Sequence, residues 1–187
     1  MEKQSTQGPR ANALKREFEL RVEVPSRASA ESVYDVLADV RSHLEWAGER
    51  QKKKTRLLTV EAPDGPASVG TEFATTGADP MGRFTDRSVV TEATRPSVFE
   101  FVTEAHLVTK KGKVADWTNV HHYDLEPSIE GCHITYTIRI ARISALPGML
   151  ALFNVRAFEG LVKRASQGVA KRGVENVARL AVERAGI

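Results

Sequence analysis

The side chains in this chain best placed to move a proton are His121, Tyr136 and Asp86. An imidazole titrates near neutrality and can act as general acid or base, and a carboxylate close by can orient its ring. A tyrosine hydroxyl can donate to a carbonyl oxygen. All three stand in runs of alternating character, 83–92, 117–126 and 132–142, and Ser88, Thr103 and Asn119 share their inward parity. Polar groups set into an oily sheet face are costly unless they bond one another or meet a ligand's oxygens. The chemistry open to such a band is therefore to orient a small molecule, to shift its protons, or simply to close an internal hydrogen-bond network.

Other chemistries find less support. His121 and His122 are neighbours on a strand and point to opposite faces, so they cannot share an ion. His43, His106 and His133 have no ligand spacing, and no metal is expected. Cys132 follows a turn glycine and has no activating partner in the pattern, which indicates packing. Gly65, Gly70, Gly77 and Gly82 are scattered and form no phosphate-cradling loop. No cofactor is expected.

The positioning elements follow from periodicity. Phe18, Leu20, Val22 and Val24 alternate as a half-buried strand ended by Pro25. Ser29 is placed to cap a helix from Ala30 that turns Val33, Val36 and Leu37 inward. Asp39 begins a second short helix running to Trp46. Strands are predicted at 56–61 and 69–76, then in four longer runs joined by short connections, which means antiparallel hairpins.

Taking Arg95-Pro96 as a two-residue turn pairs Ser88 with Thr103, Asp86 with Ala105 and Phe84 with Leu107. Taking 111–113 as a three-residue turn pairs Phe101 with Tyr123 and Thr103 with His121. Both registers put Phe84, Phe101, Trp117 and Tyr123 on one face, which Ile134, Tyr136, Ile138 and Ile140 should join from the last strand. Trp46 and Phe73 are expected at the same hollow.

The long C-terminal segment reads as one helix from Pro147 to about Arg184, with Gly186 as its stop. Val155, Phe158, Val162, Ala165, Val169, Gly173, Val177 and Leu180 form its apolar stripe. The middle of that stripe is thin. Val162, Ala165 and Val169 are therefore expected to roof a space left open beneath the helix, unless large sheet residues fill it.

Composition agrees with one packed domain. The chain has 187 residues, 41% hydrophobic and 27% charged, which excludes global disorder. Residues 1–16 read as a flexible leader and 17–187 as the domain. No signal-peptide pattern or membrane-spanning run is present in the sequence, and cytoplasm is the default compartment. The basic clusters, Arg50 to Arg56 and Lys110 to Lys113, lack interleaved aromatics, so nucleic acid is not an expected partner. They read as solvated loop tips, with a weak attraction to anionic membrane surfaces as the functional alternative.

Several phrases carry a family resemblance: EVPSRASAESVYDVLADVRSHLEW, SVGTEFATTG, TEATRPSVFEF and GVENVARLAVERA. With the element order, they resemble the SRPBCC superfamily over residues 18–185. That group includes START lipid-transfer domains, Bet v 1-like proteins and polyketide cyclases, and the chain looks like its polyketide cyclase/dehydrase and lipid-transport branch. The resemblance implies an α+β helix-grip fold, in which a curved antiparallel sheet wraps a long C-terminal helix around an apolar cavity. The expected function is binding of a small, mostly apolar ligand such as a lipid or polyketide-like compound, with transport as an optional extension of it. The alternatives are a cyclase or dehydratase using His121 or Tyr136, and a membrane-surface or interaction protein acting through its basic loops.

Overall fold

The structure is a computed structural model that describes residues 18–48, 56–78, 82–143 and 159–187. Seven strands form one antiparallel sheet: β1 (Phe18–Ser26), β2 (Arg56–Glu61), β3 (Glu72–Ala78), β4 (Gly82–Thr94), β5 (Val98–Thr109), β6 (Val114–Ser128) and β7 (Gly131–Ile143). Their order is β1-β7-β6-β5-β4-β3-β2, so the first strand closes onto the last and the rest meander. Helix α1 (Ala30–Ala38) is followed by the short turns Val40–Ser42 and Leu44–Gly48, and α2 (Glu159–Ala185) ends the chain. A curved sheet against one long helix is the helix-grip α+β fold.

Local chemistry sets the ends of these elements. Ser29 accepts from the backbone N–H of Ser32 and caps α1, which buries Val33, Val36 and Leu37. Gly186, at φ +70°, ends α2 with paired bonds from Gly186 N–H to Glu183 and from Ile187 N–H to Val182. Arg184 ties that end to Asp39 at 3.0 Å, and Asn176 donates to the Trp46 carbonyl at 3.1 Å. The helix is thereby held against the segment that carries Trp46.

The core lies between the sheet, α1 and the C-terminal half of α2. Leu20, Leu37, Val90, Phe99, Ile134, Val174 and Val177 are fully buried there. Each such side chain contributes about 1.5–3 kcal/mol of burial, which holds the helix to the sheet from one end.

The β4–β5 register is the one the sequence predicts: Phe84 with Leu107, Asp86 with Ala105, Ser88 with Thr103. The turn is different. Thr94 pairs with Val98, so the loop has an extra residue, and a bulge between Val90 and Glu92 absorbs it. The β5–β6 pairing is shifted by two residues from the expected one. Phe101 faces His121 and Thr103 faces Asn119, because residues 109–113 all belong to the turn. A slip of two preserves the faces, so Phe99, Phe101, Leu107, Tyr123 and Leu125 are still buried together.

The described part of α2 begins at Glu159, so the expected start at Pro147 and the stripe residues Val155 and Phe158 lie outside the described residues. The side chains of Val162 and Ala165 lie outside them too. Further along, the predicted stripe holds at Val177 and Leu180, both buried, but the buried face extends one residue beyond it. Ala170, Val174, Ala178 and Ala181 face inward beside Val177, while Val169 is 39% exposed. The small alanines, which carry little weight in a hydrophobic pattern, decide how the helix sits.

Candidate functional site

A cavity of about 580 Å³ opens between the sheet and the middle of α2. Its floor is made by five strands, whose inward residues form rows across the sheet. Asp86, Ala105 and Trp117 make one row, and Ser88, Thr103, Asn119 and Ile140 the next. Val90, Phe101, His121, Ile138 and Leu20 follow. Its roof is Ser166, Val169, Ala170, Gly173 and Val174. Small helix residues at 170 and 173 leave the space that a Leu or Phe would close.

Most of the expected residues line this space: Trp46, Phe84, Asp86, Phe101, Trp117, Asn119, His121, Tyr123, Tyr136, Ile138 and Val169. Three do not. Ser88 and Thr103 face each other across β4 and β5, and their hydroxyls bond at 2.9 Å, which satisfies both away from the cavity. Phe73 stands behind the wall, with its ring 5.4 Å from Phe101 and 5.7 Å from His43.

His121 stacks on Phe101 with centroids 4.5 Å apart, and its Nδ1 lies 2.7 Å from the Tyr136 hydroxyl. The sequence reading gives Asp86 as the group that orients this ring. The structure gives that place to Tyr136 on the adjacent strand, because Asp86 sits two strands away on β4. Burial drives the His121 imidazole down to about 3, with the His43 ring adding to the effect. It is neutral at pH 7. Burial also pushes the Tyr136 and Tyr123 phenols above their ordinary range.

His43 lines the cavity beside Trp46, 4.1 Å between ring centroids, although the sequence offers no spacing that marks it. The turns after α1 carry it inward, and burial lowers its imidazole to about 4. Ile140 lines the space as its parity on the last strand predicts, and Leu20, Ala47, Ala105 and Ser166 line it without having been expected. Leu20 was legible from strand parity alone.

Five buried side-chain polar atoms of the described residues lack a hydrogen-bond partner, and four belong to cavity-lining residues: His43 Nδ1, Trp46 Nε1, Asp86 Oδ1 and Asn119 Oδ1. Native interiors pair the great majority of such atoms. Asp86 is the most costly. Its carboxyl makes no hydrogen bond, and burial pushes it up to about 7. Two outward histidines are satisfied: His122 meets Glu100 at 2.9 Å and His106 meets Asp116 at 2.6 Å. Cys132 is buried in the core, where its thiol is pushed up to about 11. No group of three or more His, Cys, Asp and Glu gathers to hold a metal among the described residues.

The family described as polyketide cyclase / dehydrase and lipid transport matches residues 17–182. The chain belongs to that family. No curated protein matches it in sequence. Among solved structures, a protein from Rhizobium leguminosarum is similar with TM-score 0.64 and 13% identity, covering 92% of this chain and 97% of that one. Ara h 8.0201 is similar with TM-score 0.53 and 12% identity, over 90% and 99% of the two chains. The di-domain aromatase/cyclase StfQ of the steffimycin biosynthetic pathway is similar with TM-score 0.62 and 13% identity, over 91% of this chain and 53% of StfQ. These likenesses establish the fold. Among the described residues, no helix is long and apolar enough to cross a membrane.

Proposed function

We propose that this protein binds a small, mostly apolar molecule in the cavity under α2. The observation that supports this reading is the unpaired polar set, four atoms on residues lining a space of about 580 Å³ whose other walls are aromatic and aliphatic. Apolar pockets with a few converging polar groups are the usual form of a small-molecule site. Ligand carbon would supply affinity at about 25 cal/mol per Å² of apolar area buried. The family covers both lipid transport and polyketide chemistry, and either ligand type suits such walls. Native mass spectrometry of freshly purified protein tests the reading. A mass increment displaced by added decanol is expected. A bare chain that takes up no apolar compound would refute it.

A second reading, a cyclase or dehydratase acting on a polyketide-like carbonyl compound, is favoured by the 2.7 Å contact of His121 with Tyr136. Efficient proton transfer needs a group titrating near the working pH. His121, held at about 3, is a poor base, whereas Asp86 at about 7 is well matched. In this reading Asp86 moves the proton, and the His121–Tyr136 pair polarises the substrate oxygen. Turnover abolished in Asp86→Asn, but only lowered and with an unchanged pH profile in His121→Phe, would support that order of roles. A third reading, contact of the basic hairpin tip at Lys110, Lys111 and Lys113 with anionic membranes, predicts liposome binding that salt abolishes.

A further inference from the structure

Among the described residues that line the cavity there is one carboxyl and no countercharge. None of them is a lysine or arginine, and Asp86 makes no hydrogen bond. Its surroundings are specific. Thr75 and Ala105 are its neighbours across β3 and β5, and Trp117 lies beyond Ala105 in the same row. Phe84 stands two residues before it on the same face. Ala105 is the small residue that leaves Asp86 and Trp117 looking onto a common gap. A carboxylate beside aromatic faces attracts a cation or a hydroxyl donor and repels an anion. The unpaired oxygen of Asn119 in the next row adds an acceptor of the same preference.

We infer that the cavity selects ligands by their head group, taking an apolar compound that presents a hydrogen-bond donor, an amine or a hydroxyl, to Asp86, and rejecting fatty carboxylates. This rests on the binding role proposed above and narrows its ligand class. Both walls and floor agree with it. His43 and His121, held neutral by burial, offer no positive charge to a carboxylate, and the Tyr123 and Tyr136 phenols are uncharged. A ligand ammonium would relieve the desolvated carboxyl that burial now penalises.

The test is a matched series, decylamine, decanol and decanoate, titrated below their aggregation limits. Quenching of Trp46 and Trp117, the chain's two tryptophans, provides the signal, since both line the cavity. The amine and the alcohol should each bind at least about tenfold more tightly than decanoate, the scale of one hydrogen bond to a charged group. Decylamine affinity should fall as pH drops from 8 to 6, as Asp86 is the facing group that titrates there, and decanol affinity should not. Asp86→Asn, similar in shape and checked for folding by circular dichroism, should abolish the amine's pH dependence and its advantage over decanoate while decanol still binds. Decanoate binding as tightly as both, or an unchanged preference in Asp86→Asn, would overturn the head-group rule and leave the cavity reading standing. No quenching by any of the three would take both down.

Discussion

Replacing Asp86 with Asn should stabilise this protein, and by an amount that grows with pH. Burial raises the Asp86 carboxyl from 3.8 to about 7. A raised acid keeps its proton longer in the folded state, so its stability is intact below pH 3.8 and lost as pH climbs to 7. From those two values, the linkage cost of ionising Asp86 is about 2 kcal/mol at pH 5 and about 4 kcal/mol at pH 8. Asn cannot ionise and escapes the cost. The gain of Asp86→Asn over wild type should therefore increase by about 2–3 kcal/mol between pH 5 and pH 8. His43 and His121 work in the opposite direction. Lowered to about 4 and about 3, they give stability present above pH 6.5 and lost as pH falls toward those values. Both proteins carry them, so they cancel in the difference. Urea denaturation at the two pH values, with equal m-values as the control, measures it. A pH-independent difference, or a variant less stable at pH 8, would refute the placement of an unpaired carboxyl in this cavity.

Further outcomes follow from the same geometry. Ala170→Phe should fill the roof, change stability by no more than about 1–2 kcal/mol in either direction, and abolish apolar-ligand binding, as read by denaturation and the decanol titration. Tyr136→Phe removes the hydroxyl that meets His121 and should cost about 1 kcal/mol, measured by urea denaturation. Ser29→Ala uncaps α1 and should also cost about 1 kcal/mol, without altering ligand affinity.

Much of this arrangement was legible in the amino-acid pattern, because strand faces depend on parity and parity survives mistakes in loop length. The β5–β6 turn is longer than expected, yet the resulting slip of two leaves Trp117, Tyr123 and His121 on the cavity side. The β4–β5 pairing agrees because the bulge near Thr91 cancels the extra loop residue. Helix rotation has no such protection. Alanines at 170, 178 and 181 weigh little in a hydrophobic stripe, so the buried face of α2 could be placed only to within about one residue. His43 was hidden for a different reason. Its position depends on how the short turns after α1 fold back over the sheet, and a single histidine in an irregular segment has no period to betray it. Ser88 and Thr103 have the right parity for the cavity, but their direct cross-strand contact satisfies both hydroxyls, and parity cannot tell a paired group from a waiting one.

The claim on which the account rests is that the space beneath α2 admits a ligand. The indole N–H of Trp46, buried and without an acceptor, is its natural reporter, with Trp117 on the sheet floor as the second. Two-dimensional ¹H–¹⁵N NMR of the uniformly labelled protein, titrated with decanol, reads both directly. The two indole cross-peaks should shift and saturate together at one ligand per chain. Two cross-peaks that stay fixed up to the solubility limit of decanol would contradict it.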